Sequence, residues 1–169
     1  MKKNRSKIFK GRVFSVSRER KTFPNGRKVY LEQVHHPGAV LVVPFIEKDI
    51  ILIRQYRGVI GKYIWELPAG TLEKGESPLA CARRELAEET GYRALDLKKV
   101  GMIYTTPGFS DEKISLFTAK CGRQKKPRTD RDELIRIKRF TRKEIRVLFL
   151  KGRITDSKTI SAFVFAGVL

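Results

Sequence analysis

Half the acid that would balance the bases is missing from this chain: 18 Asp and Glu stand against 37 Lys and Arg, a formal net charge of +19 in 169 residues. Such a surplus attracts polyanions or speeds the arrival of small phosphorylated molecules, and it equally suits a solvated basic surface. Charge alone therefore selects no function. Cysteine is scarce as well. Cys81 and Cys121 lie far apart, match no metal-ligand or redox spacing and are too few for a disulfide framework, so a reduced compartment is expected. Long apolar runs are absent. The basic first five residues are followed by no apolar stretch of a secretory signal, and residues 160–169 are too few to span a bilayer. A cytoplasmic protein with no membrane partner is the expectation. No internal repeat divides the chain. Histidine is limited to His35 and His36, which precede a Pro-Gly turn and read as structural.

What is present is organised for a mixed fold. Ile8, Val13, Phe14 and Val16 lead strand-like into Phe23-Pro24-Asn25-Gly26, and Val29, Leu31 and Val34 follow. Pro presets φ and Asn-Gly supplies positive φ, so a hairpin is expected there. Residues 39–45 and 50–53 read as buried strands, and the short Glu47-Lys48-Asp49 link between them predicts a second hairpin. Helix punctuation frames residues 77–91, with Ser77 as cap, Pro78 at the first helical position and Gly91 as the left-handed residue after the end. Strand-like runs recur at 100–104, 114–119 and 134–140, with a polar, basic loop over 122–131. Thr141 and Glu144 form a capping-box pattern opening a helix toward Leu150, and Asp156 or Ser157 caps a last helix. Strand runs with few helices argue an α/β or α+β fold, a mixed sheet flanked by helices.

The chemistry is concentrated on the helix framed by Ser77 and Gly91. Glu85, Glu88 and Glu89 stand at i, i+3 and i+4, which puts three carboxylates on one face. Leu79, Ala82 and Leu86 are expected to face the core beside them. Clustered acids repel unless a cation neutralises them, and an all-oxygen carboxylate set is what Mg²⁺ prefers, with room left for water and substrate phosphates. Arg84 can pair with Glu88 one turn on. Three glutamates alone would be an ordinary charged surface helix. The whole segment from Gly70 to Tyr92 changes that reading: Gly, five residues, Glu76, seven residues, Arg84-Glu85, an aliphatic, any residue, Glu88-Glu89, any residue, Gly91, then a bulky apolar residue.

That pattern resembles the signature box of the Nudix hydrolases. Phe23-Pro24-Asn25-Gly26, His36-Pro37-Gly38-Ala39-Val40, Arg54-Gln55-Tyr56-Arg57, Trp65-Glu66-Leu67-Pro68-Ala69-Gly70, Thr106-Pro107-Gly108-Phe109-Ser110-Asp111-Glu112 and Asp156-Ser157-Lys158-Thr159 are similar to the ADP-ribose pyrophosphatase group of that family, with Pro107 as the group's marker proline. The resemblance implies an α/β/α sandwich over residues 39–169, preceded by a small antiparallel sheet over residues 1–38 that serves dimerisation and the substrate. It implies Mg²⁺, with Mn²⁺ as an alternative, held by Glu85, Glu88, Glu89 and the Ala69 carbonyl. Gly70, Arg84 and Gly91 shape the box, and Glu76 anchors its loop or reaches metal through water on the substrate side. Arg57 contacts the substrate phosphates, and Glu32, Gly108 and Phe109 complete the substrate site. A carboxylate outside the helix takes the proton of the attacking water, Glu112 as first candidate and Glu133 as second.

Two positions depart from the group. Leu31-Glu32 stands where relatives often carry Arg-Glu, and Arg136 stands where they tend to have an acid. Both leave the hydrolytic centre intact and touch base recognition. The expected activity is hydrolysis of ADP-ribose or a similar nucleoside diphosphate sugar to two monophosphates by a homodimer. The basic surface keeps pyrophosphate removal from the 5′ end of RNA, with nucleic acid as partner, as an alternative. A non-catalytic binding module of the same fold is a third reading, and the intact acidic triad argues against it. Trp65, the only tryptophan, is expected to pack under the Pro68-Ala69-Gly70 turn.

Overall fold

The computed structural model describes residues 5–124, 127 and 134–169. Strands β1 (Arg5–Lys10), β2 (Ser15–Thr22) and β3 (Lys28–His35) form an antiparallel sheet in that order. The expected hairpin joins β2 to β3, with Gly26 at φ 78° and its N–H donating to Phe23 O at 2.9 Å. The segment ahead of it is two strands rather than one approach: Gly11 N–H donates to Phe14 O at 2.9 Å and the chain reverses there. No glycine-rich dipeptide marks that turn, which is why the pattern of apolar residues hid it.

The larger sheet holds β4 (Ala39–Ile46), β5 (Asp49–Arg57), β6 (Lys62–Glu66), β7 (Ala69–Thr71), β8 (Tyr92–Tyr104), β9 (Lys113–Gln124) and β10 (Ile135–Thr141). Its order is β10-β5-β4-β9-β8, with β6 on β5 and β7 on β4; β4 and β9 run parallel and the other pairs antiparallel. The predicted hairpin between β4 and β5 turns through Glu47, at φ 52°, yet only Phe45 and Ile46 pair with Ile50 and Asp49. Beyond them β5 takes β6 as neighbour while β4 takes β7. The sheet is split there, and Leu67-Pro68-Ala69 crosses the split.

Helices cover both faces. Alternation along β4 sends Val40 and Val42 toward helix α1 (Pro78–Thr90), where Cys81, Ala82, Leu86, Phe117 and Ala119 join them. Leu41 and Val43 face the opposite way, into a core with Leu52, Leu116, Ile145 and Phe163 under α2 (Arg142–Leu150) and α3 (Ser157–Phe165). β4 is buried on both sides, as a central strand with a parallel neighbour must be, hence its unbroken apolar run. The expected α/β/α sandwich with a mixed sheet and a small antiparallel sheet is what the chain builds. The caps also fall where the sequence puts them: Ser77 Oγ accepts Ala80 N–H at 3.2 Å, Thr141 and Glu144 close a capping box, and Asp156, not Ser157, caps α3. One packing expectation needs correction. Leu79 is exposed, because Cys81 takes the inward position one turn before Glu85. Trp65 meets Phe140 of β10 edge-on at 5.0 Å and packs against the core cluster that Ala69 of the turn also borders. No described helix is long and apolar enough to cross a membrane.

Candidate functional site

The split in the sheet creates the site. The corner between β6 and β7 is fixed from both sides, by Leu67 N–H donating to Thr159 Oγ at 3.0 Å and Val42 N–H donating to Pro68 O at 2.9 Å. α1 begins seven residues after β7 and lies against β4 and β7, so its acidic face meets the backbone of residues 69–71. Glu89, only 3% exposed, accepts Ala69 N–H at 3.0 Å. Glu85 reaches the neighbouring residue so closely that a Cβ on Gly70 would lie 1.8 Å from its Oε1. Glycine at position 70 is thus a demand of the glutamate, not of the turn.

Arg84 gathers the remaining acids. Its Nε and Nη2 donate to the two oxygens of Glu76, each at 2.9 Å, while Nη1 donates to Glu85 at 2.7 Å and to Glu88 at 3.1 Å. Glu76 in turn accepts Glu73 N–H at 3.1 Å, closing the loop that leads into α1. The paired guanidinium holds the Glu76 carboxyl down at about 2, and Glu76 raises Arg84 above the usual arginine value. Because the Glu76 value is depressed on folding, its contribution to stability is whole above about 4.5 and is lost as pH falls through about 2. Thermal melts of Glu76→Gln against the parent should therefore differ most near neutrality and converge as pH drops from 4.5 toward 2. A gap that stays constant over that range would mean the Arg84–Glu76 bridge contributes nothing through charge. Cys81, beside them, has its thiol pushed up to about 12 by burial and is no nucleophile at neutral pH.

A divalent cation suits these residues by donor chemistry: they offer carboxylate oxygens, the neighbouring Cys81 sulfur is held as a thiol by burial, and Gly70 leaves room for Glu85. Among the described residues no three acidic, histidine or cysteine side chains already converge tightly enough to enclose one. Arg84 stands among Glu76, Glu85 and Glu88 as their counterion.

Arg57, at the end of β5, donates from Nε to Glu66 at 2.7 Å and from Nη2 to its second oxygen. Glu66, whose side chain is 1% exposed, raises the Arg57 value, and Glu89 and Asp156 add to the attraction from further off. The arginine expected on substrate phosphates is therefore brought into the field of the box. Sequence reasoning gave Glu66 no role, although a carboxylate inside the apolar run from Tyr63 to Leu67 is a signal that it has a buried partner.

The remaining candidates lie on the loop from Thr105 to Glu112 and on the N-terminal sheet. Phe109 is exposed, and its carbonyl accepts Val34 N–H at 2.8 Å; a Cβ on Gly108 would meet nothing within 4 Å. Glu112 accepts Thr105 Oγ–H at 2.7 Å. Glu32 is paired with Arg18 at 3.3 Å, on its own sheet rather than in the box. Leu31 stands opposite Glu19, and Arg136 opposite Arg54 on the β10 edge. Glu133 and most of the basic loop over 122–131 lie outside the described residues.

Comparison with known proteins identifies the family and the fold. Residues 35–163 match the NUDIX domain. The methanol dehydrogenase activator of Bacillus methanolicus is 42% identical over 92% of this chain and 85% of its own length. The ADP-ribose pyrophosphatase of Bacillus subtilis (strain 168) is 38% identical over 95% of this chain and 89% of its own. The crystal structure of an ADP compounds hydrolase superposes with a TM-score of 0.82 over 96% of this chain and 89% of that one; at 24% identity it speaks for the fold. With the full box held on this fold, the chain belongs to the NUDIX family and is a Nudix hydrolase.

Proposed function

We propose that this enzyme hydrolyses the pyrophosphate bond of ADP-ribose or a similar nucleoside diphosphate sugar, giving AMP and ribose 5-phosphate from ADP-ribose. The observation that carries the reading is the fixing of Glu85 and Glu89 against Gly70 and Ala69 beside Arg57. The names of the relatives from Bacillus subtilis and Mycobacterium tuberculosis, both ADP-ribose pyrophosphatases, support the substrate class. Glu85, Glu88 and Glu89, with the Ala69 carbonyl, hold Mg²⁺ or Mn²⁺. The bound cation supplies positive charge to the pyrophosphate oxygens and acidity to water. Arg57 binds the phosphates, Gly108, Phe109 and Glu32 contact the rest of the substrate, and Glu76 and Arg84 keep the box in shape. Glu112 takes the proton of the attacking water; Glu133 is the second candidate for that part.

The enzyme works as a cytoplasmic homodimer through the sheet ahead of residue 39. Phe9 and Phe14 are half-exposed with their rings 5.8 Å apart where β1 turns into β2, an apolar spot that a second subunit would cover. A variant lacking residues 1–34 is expected to run as a monomer with raised KM and unchanged Mn²⁺ affinity. A dimer with the parent KM would rule this arrangement out.

One observation favours a second reading. Arg18 and Arg20 lie over the exposed ring of Tyr30, 4.9 and 6.0 Å from its centre, a cationic patch of the kind that attracts a polyanion. The deciding experiment follows phosphate release, coupled to a phosphatase, from ADP-ribose, other nucleoside diphosphate sugars and 5′-triphosphate RNA with Mg²⁺ and with EDTA. ADP-ribose or a close analogue should be turned over fastest and EDTA should stop it. RNA as the only good substrate, with activity falling steeply as salt rises, would replace the first reading with the second.

A further inference from the structure

Outside the box, a chain of polar side chains ties the N-terminal sheet to the loop that ends in Glu112. Ser17 Oγ lies 2.7 Å from His35 Nε2, and His35 Nδ1 lies 2.8 Å from Asp111 Oδ2. The second oxygen of Asp111 accepts His36 N–H at 2.8 Å. The backbone doubles the link: Val34 N–H donates to Phe109 O at 2.8 Å, Asp111 N–H donates to Val34 O at 3.1 Å, and Val34 forms a parallel bridge with Ser110. Glu112 is the next residue. Its N–H donates to Ser110 Oγ at 3.1 Å and its Oε2 accepts Thr105 Oγ–H at 2.7 Å.

We propose that Ser17, His35 and Asp111 are positioning residues that hold the Glu112 carboxylate in place for the reaction, coupling the N-terminal sheet to the hydrolytic step. This rests on the reading of Glu112 as the base. The proton arrangement makes the chain durable. The Asp111 side chain is 55% exposed, so partial desolvation opposes its charge only weakly, and the His36 amide and His35 keep its carboxyl below the usual aspartate value. An ionised Asp111 only accepts, so His35 Nδ1 carries hydrogen. With His35 neutral, Nε2 accepts the Ser17 hydroxyl; with His35 charged, Nε2 donates and the hydroxyl turns. The chain holds in both states. His36 behaves differently. Gly38 N–H donates to its Nδ1 at 3.1 Å, so the 3.8 Å approach of that nitrogen to Glu112 Oε1 is no hydrogen bond while His36 is neutral.

The order serine, histidine, aspartate also describes a nucleophilic triad. Ser17 cannot serve as one here. It is 1% exposed and lies in the central strand of its sheet, between β1 and β3, where no phosphoryl group can reach Oγ.

The test measures kcat and KM of the full chain for Asp111→Ala, Asp111→Asn and Glu112→Gln on its best nucleoside diphosphate substrate. Asp111→Ala should lower kcat by about tenfold or more with KM changed less than about twofold, the cost of a misplaced group. Asp111→Asn keeps an oxygen for the His36 amide. Its side-chain amide then donates to His35 Nδ1, which drives the imidazole to the other tautomer, and Ser17 accepts from Nε2. It should recover kcat to within about threefold of the parent, because a hydroxyl can reverse its role. Loss in Asn equal to that in Ala would show that a fixed carboxylate charge is needed, and would overturn the positioning chain. A dead Glu112→Gln beside a fully active Asp111→Ala would overturn it too, leaving the base assignment standing. Full activity in Glu112→Gln would remove the base assignment and this inference together.

Discussion

Glu89→Gln is expected to fold as stably as the parent and to lose about three orders of magnitude in kcat, roughly 4 kcal/mol of transition-state stabilisation. The two halves of that result come from different properties of the same side chain. Structurally, Glu89 is an acceptor: it is nearly buried and takes the Ala69 N–H at 3.0 Å. Glutamine has the same length, and its carbonyl oxygen can accept that hydrogen. Removing a charge from so buried a position relieves desolvation and also gives up its attraction to Arg57, so the two effects oppose and Tm should change little. Chemically, Glu89 is a charge. A cation among Glu85, Glu88 and Glu89 depends on the summed negative charge, and the buried member acts in the lowest dielectric. Mn²⁺ affinity should therefore fall with kcat. Glu88 is held by Arg84 at the rim with its side chain 45% exposed, and Glu88→Gln should cost less. If Glu89→Gln keeps more than about a tenth of the parent kcat, the box is not where the chemistry is done.

Why the box was legible and other parts were not follows from distance along the chain. Ser77, Glu85, Glu88, Glu89 and Gly91 act on one helix, whose spacing places them without knowledge of the rest. The caps of α2 and α3 are local in the same way. The split between β4 and β5 is different. Residues 45–50 form a hairpin as the sequence implies, but its strands part because β6 and β7 offer each of them another neighbour. No local signal announces that choice. His35 read as structural, and the structure adds what it holds: bonds to residues 18 and 76 positions away. The Gly70 requirement is also long-range in origin, since the atom that forbids a side chain there belongs to Glu85.

Arg57→Met should be the most destabilising single change in the site, by about 1–3 kcal/mol, because it strands a buried carboxylate whose partner, 40% exposed on its side chain, is already partly screened by water. Glu66 is 1% exposed on its side chain, and Arg57 is its bidentate partner across β5 and β6. For a chain of this size that loss corresponds to a fall in Tm of about 2–12 °C. Activity measured on the single variant would mix two causes, an unfolding site and a missing phosphate contact. The double variant separates them. Arg57→Met with Glu66→Gln removes the stranded charge, and it should recover at least half of the lost Tm, since a neutral buried pair costs far less than one unpaired ion. KM should remain high in the double variant, for neither residue then offers a cation to the substrate. Recovery of Tm without recovery of KM is the result expected if Arg57 touches phosphate. If both recover together, Arg57 serves only to neutralise Glu66, and the phosphate contact must come from another basic residue.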